Sequence, residues 1–212
     1  MFLVQYWLLL FEILETDSRY GSIQCLLSYL GSQTFSMGTG CSGTDASVFS
    51  LLSMVEAIKQ KYDVLIEVAH AFSCELSREK QRWINTNFPL LQILFADIMH
   101  LGRRRAKNLI SGLNTLVPRC TVFVAGFSCK TASTHNSTGK RKSSYIDSES
   151  GTTGGTFDGI LSYILDKMPP FAIFENVMGL IGDNLKEVVR LLSLGGYFVF
   201  VYAVNTSNYV HD

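Results

Sequence analysis

Two side chains with covalent or acid–base potential sit just past apolar runs. Cys129 follows Thr121-Val122-Phe123-Val124-Ala125-Gly126, a run of β-branched and aromatic residues that predicts a buried strand closed by glycine. Glu175, with Asn176 and Val177 behind it, follows Phe171-Ala172-Ile173-Phe174, which predicts another. Open α/β sheets bind their ligands beyond the carboxyl ends of parallel strands. A thiol and a carboxylate delivered there suit a nucleophile and a proton donor. The alternative for Cys129 is a buried structural thiol. Against it stand the polar neighbours Ser128, Lys130, Thr131 and Ser133, and the Lys130 charge favours a thiolate. At a buried strand end, Glu175 is costly to ionise unless paired.

Three further positions fit a nucleoside-bearing ligand. Gly38-Thr39-Gly40-Cys41-Ser42-Gly43 stands between a strand pattern and a helix pattern, where glycines let backbone approach a ligand. A plain tight turn is the competing reading. Glu75 ends the second strand, where an acid can accept both ribose hydroxyls; Asp97 ends the third, where a carboxylate can accept from an adenine amino group. Each alone reads equally as a solvated carboxylate. All three at successive strand ends point to adenosine binding.

The elements that must position these groups alternate. Strands are expected at 31–37, 64–72, 90–95, 121–126, 171–174 and 197–204, and helices at 45–62, 77–86, 103–113, 157–167 and 184–194, with Thr44 or Asp45 capping the first helix. Strand–helix alternation implies an α/β fold with a doubly wound, mostly parallel sheet. No internal repeat or second domain is visible. Residues 131–156 form a long polar stretch, expected as a functional loop or disorder. Within it Lys140-Arg141-Lys142 is either a solvated loop or a phosphate-contacting arm; Arg103-Arg104-Arg105 reads as solvated surface.

Composition narrows the class. The chain has 212 residues, 47% hydrophobic, and zero formal net charge, so any nucleic-acid contact must come from a local patch. Its five cysteines are scattered and odd in number, which argues against a disulfide framework and a zinc site. Residues 1–30 form an apolar N-terminal extension. Its stretch 1–14 lacks a basic leader and is short for a membrane span, so an extra docked helix, or residues outside the natural domain start, is expected and no membrane partner.

In order, these motifs resemble those of the cytosine-C5 DNA methyltransferases. Phe35 to Gly43 resembles the family's cofactor-binding motif, Glu75 its ribose-binding acid, and Asp97-Ile98 its adenine-contacting pair. Gly126 to Lys130 resembles the catalytic Pro-Cys motif, with Ser128 where proline is usual. Glu175-Asn176-Val177 matches the Glu-Asn-Val motif.

The resemblance implies a Rossmann-like methyltransferase fold and S-adenosylmethionine as cofactor, held by Phe35, Gly38, Gly40, Ser42, Gly43, Glu75, Asp97 and Ile98. It implies that Cys129 adds to C6 of a flipped cytosine, that Glu175 acts at N3, and that Asn176 holds the cysteine loop. DNA is the implied partner, touched by Lys140, Arg141 and Lys142; no metal is implied. One subgroup of the family methylates tRNA, so RNA is an alternative substrate. A catalytically inactive domain acting through partners is the alternative of another class. On this resemblance 31–212 is the catalytic domain without the target-recognition domain and later motifs; it reads as a fragment, a truncated gene product, or one part of a split enzyme whose missing half a partner chain would supply. A nuclear location is expected in a eukaryote, a cytoplasmic one otherwise.

Overall fold

The computed structural model describes residues 34–127, 152–176 and 182–203, together with Gly31. Five parallel strands form the central sheet: β1 (Thr34–Gly40), β2 (Glu67–Cys74), β3 (Leu94–Phe95), β6 (Val122–Gly126) and β7 (Phe171–Glu175), in the order β3-β2-β1-β6-β7. The chain moves outward from β1 on one side, then returns to add β6 and β7 on the other. This is the doubly wound, Rossmann-like arrangement, and its direction reverses between β1 and β6.

The helices divide between the two faces. Helices α1 (Ala46–Tyr62) and α2 (Arg78–Asn87) supply Val48 and Ile84 to a cluster with Met37, Phe88, Leu91 and Leu94. The opposite face holds the larger core. There Phe72, Phe95 and Phe123 meet Phe157, Ile160 and Tyr163 of α3 (Thr152–Lys167) and Val188 and Leu192 of α4 (Asp183–Leu194). Phe72, Phe123 and Tyr163 are fully buried, with ring centroids 4.4–6.3 Å apart. Burying each such ring contributes about 1.5–3 kcal/mol. The core thus makes the β1–β6 region a rigid platform.

The expected alternation holds, with changed bounds. Strands 1 and 2 run further toward their carboxyl ends than expected, and the third shrinks to Leu94–Phe95. Two expectations fail. Residues 103–113 are not a helix. They belong to an antiparallel ribbon of β4 (Arg105–Lys107) and β5 (Asn114–Leu116), closed through Gly112 at φ 72°. Its anchor is Asn108, whose side-chain oxygen accepts from the Leu94 N–H at 3.1 Å and whose amide donates to the Gln92 carbonyl at 2.9 Å. That tertiary pairing, with the Phe95–Asn108 bridge, overrides the local helix propensity of Arg-Ala-Lys.

Residues 197–203 also form no strand. Tyr197 and Val199 pack on the core while Phe198, Phe200 and Tyr202 are exposed, so the period-two pattern is present. A ladder needs a partner backbone, and among the described residues none pairs with this stretch. No described helix is long and apolar enough to cross a membrane. The N-terminal extension expected as a docked helix lies outside the described residues.

Candidate active site

Strand registers align one residue from each strand into a transverse row. Gly40 pairs with Cys74 on one side and Ala125 on the other; Cys74 pairs with Phe95, and Ala125 with Phe174. The residues directly beyond this row are Glu75, Cys41, Gly126 and Glu175, with Asp97 two past Phe95. Adjacent strands lie about 4.8 Å apart, so these groups share one rim across the switch point between β1 and β6. The sheet register alone brings four sequence-distant motifs together.

Beyond β1 the chain makes a tight turn tied to the end of β2. Ser42 N–H donates to the Cys74 carbonyl at 3.0 Å, and the Ser42 hydroxyl accepts from Cys74 N–H at 3.0 Å. Gly43 N–H donates to Glu75 Oε2 at 2.7 Å, while Glu75 Oε1 accepts from Ser77 N–H at 2.8 Å. Glu75 is therefore a buried carboxylate whose orientation is set by two backbone donors. Each oxygen still has a lone pair for a hydroxyl donor. Asp97 accepts from Met99 N–H at 2.9 Å and caps the 3-10 turn at Ile98–His100.

Cys41 lies in the field of both acids. Burial, then the charges of Glu75 and Asp97, push its thiol up to about 11. Burial likewise raises Cys74 and Cys120. These three stay protonated at neutral pH and are poor nucleophiles, as expected for packing cysteines.

The glycines of the turn differ in their surroundings. A Cβ on Gly38 would lie 2.6 Å from Phe72 Cζ, and one on Gly40 would lie 2.8 Å from Ile98 Cδ1 and 2.9 Å from Phe123 Cζ. At these two positions core side chains occupy the space that a side chain would need. Gly43, at φ 59° with nothing within 4 Å of an added Cβ, is the glycine that faces open space. Phe35 is corrected. It sits at the amino half of β1, paired with Val68 and packed near Ile58 and Ile66, far from the rim. Ile98 is buried between Gly40 and Gly159.

A buried polar network beneath the turn was not legible in advance. Asp45, fully buried and at φ 52°, does not cap α1 with its side chain. Instead Oδ1 accepts from the Thr39 hydroxyl at 2.7 Å and Oδ2 from the Ser73 hydroxyl at 2.5 Å. Ser73 Oγ is 2.9 Å from His70 Nε2. Burial lowers His70 to about 4, so the ring is neutral and its 3.8 Å approach to Asp45 is not an ion pair at pH 7. His70 Nδ1 is buried without a hydrogen-bond partner. A bare acceptor costs less there than an orphan N–H, which places the proton on Nε2 and directs the chain His70 to Ser73 to Asp45. Burial raises the Asp45 carboxyl against the lowering effect of its hydroxyl donors. The only sequence signal was the spacing Thr39, Ser42, Asp45 through the turn.

At the other side of the switch point, Gly126 pairs with Glu175, and a Cβ on Gly126 would lie 3.3 Å from Glu175 Oε2. Asn176 Nδ2 donates to the Phe127 carbonyl at 3.2 Å. That bond ties the end of β7 to the backbone two residues before Cys129. The expected burial of Glu175 is not observed, since its side chain is exposed. Among the described strands β7 is outermost, and solvent reaches Glu175 from that side. Cys129, Lys140, Arg141 and Lys142 lie outside the described residues. Among the described residues no group of His, Cys, Asp and Glu is arranged to hold a metal.

No family model matches the chain. A curated relative from Cryptococcus neoformans, DNA (cytosine-5-)-methyltransferase DMT5, is 32% identical over 170 residues, covering 80% of this chain and 7% of its own length. This similarity supports the cytosine-C5 DNA methyltransferase family for the chain. A second relative of the same name, from Verticillium dahliae, is 31% identical over 103 residues, covering 47% of this chain and 4% of its own length. The chain thus spans a small part of these methyltransferases. Among solved structures, precorrin-6y C5,15-methyltransferase from Geobacter metallireducens overlaps 89% of this chain and 80% of its own, at 15% identity and a TM-score of 0.41. The architecture is read from the chain's own strand order and register.

Proposed function

We propose that the chain is the cofactor- and base-handling part of an enzyme that transfers a methyl group from S-adenosylmethionine to C5 of cytosine in DNA. The observation that carries this reading is the shared rim, with Glu75, Asp97 and Glu175 beyond one transverse row across the switch point. The family relationship supports it from the sequence side.

The residues fit the cofactor chemically. Glu75 is fixed by Gly43 and Ser77 N–H groups and retains acceptor capacity for vicinal hydroxyls. Asp97 offers a carboxylate beside it, and Gly43 leaves open space. When bound, S-adenosylmethionine supplies an electrophilic methyl group. The rest falls to this chain. Cys129 as thiolate adds to C6 of an extruded cytosine. Glu175 donates a proton at N3, so the C6 addition leaves electron density at C5. Asn176 holds the backbone leading to Cys129 through Phe127. After methylation, loss of the C5 proton and departure of the thiolate restore the aromatic ring and the cysteine.

Covalent trapping tests this. DNA bearing 5-fluorocytosine cannot lose its C5 substituent as a proton, so the adduct persists. A mass-shifted, cofactor-dependent adduct that disappears in Cys129→Ser is the expected result. A folded protein that binds S-adenosylhomocysteine yet forms no adduct with DNA or RNA would refute the catalytic assignment.

A further inference from the structure

The chain is neutral overall, yet residues 98–127 hold five Arg and Lys residues and no Asp or Glu. These are Arg103, Arg104, Arg105, Lys107 and Arg119, all exposed. Four of them, Arg103, Arg104, Arg105 and Lys107, lead into or form β4, where Ala106 is buried and Arg105 and Lys107 point outward. Residues i and i+2 on one strand face stand about 6.8 Å apart. The ribbon is a defined scaffold. Arg105 pairs with Leu116 and Lys107 with Asn114, and Arg105 Nη1 donates to the Asn114 carbonyl at 2.8 Å. Val117 N–H closes onto the Arg104 carbonyl at 3.1 Å. No described carboxylate forms an ion pair with any of the five cations.

Placement makes the patch relevant. Asn108 bridges Phe95 in antiparallel sense, so the chain from Asn108 back to Arg103 climbs past the carboxyl end of β3. That end carries Asp97, only a 3-10 turn away from Arg103. A solvated surface would normally intersperse both signs of charge; here one sign is concentrated beside the rim. Guanidinium groups match phosphate oxygens in geometry and charge. We infer that the β4–β5 ribbon, through Arg103, Arg104 and Lys107, is a phosphate-backbone contact surface for duplex DNA flanking the target base. This rests on the methyl-transfer reading for its choice of polyanion. The contacts position the duplex and carry no sequence information.

The test is a salt titration of duplex binding by the full chain, wild type against Arg103→Gln/Arg104→Gln/Lys107→Gln. Arg105 is left in place because it braces the ribbon. Loss of two or three phosphate contacts lowers the slope of log affinity against log salt by about 2–3. The affinity drop between about 50 and about 200 mM salt then shrinks by about 10- to 40-fold, equally for unrelated duplex sequences. An unchanged slope, or no duplex binding by the wild type at low salt, overturns the inference. So does a variant that loses poly-glutamate binding but keeps duplex binding, which would mark an acidic protein partner. S-adenosylhomocysteine binding is measured in parallel by calorimetry and should be unchanged. Its absence in both proteins, with the slope difference intact, would sink the methyl-transfer reading and leave the surface standing.

Discussion

Replacing Asp45 tests the idea that a buried carboxylate holds the turn after β1. Its two oxygens accept at 2.7 Å and 2.5 Å from Thr39 and Ser73. Hydrogen bonds to a charged group contribute about 1.5–3 kcal/mol each. In Asp45→Ala both are lost, but the freed hydroxyls retain neighbours, Ser42 at 2.6 Å from Thr39 and His70 at 2.9 Å from Ser73. Roughly half the loss should be recovered. Alanine at φ 52° then adds about 1 kcal/mol, since asparagine and aspartate tolerate this region better. The expected destabilisation is about 3 kcal/mol. Asp45→Asn keeps one acceptor, tolerates the backbone and should cost about 1 kcal/mol near pH 4. The sign of its pH dependence follows from burial. The folded-state pKa of Asp45 is raised, so its favourable contribution is complete below 3.8 and declines as pH rises through the folded value. Asparagine has no such decline, and the gap between Asp45→Asn and wild type should narrow as pH rises. Urea denaturation at several pH values reads both effects. A cost under about 1 kcal/mol for Asp45→Ala, or equal costs for the two variants, would refute the network as the support of the turn.

Two more predictions follow from neighbouring geometry. His70 has a folded pKa lowered to about 4, so the stability from its neutral form is present above 6.5 and lost as pH falls toward 4; His70→Gln should flatten acid unfolding in that window, measured by pH titration of far-ultraviolet circular dichroism. Gly159→Ala would set a Cβ 2.9 Å from the Ile98 carbonyl carbon, where backbone must move; it should cost about 1–3 kcal/mol and weaken S-adenosylhomocysteine binding through Asp97, read by thermal unfolding and calorimetry.

The alternation of apolar strand patterns with helical periodicity was sufficient for the doubly wound class, because burial on both sheet faces writes a local signature. The identity of the rim groups was legible for the same reason: Glu75, Asp97 and Glu175 each terminate such a run. What those groups touch was not. The packing of the Phe72 and Phe123 rings, from other strands, against Gly38 and Gly40 has no local signature. Asp45 read as a cap until Ser73, 28 residues away, is brought to its carboxylate. Arg103 to Lys107 read as helix until Asn108 finds Leu94 and Gln92. Sequence pattern records whether a position is buried and at what period; partners contributed by distant strands leave no local trace, and only the folded register decides them.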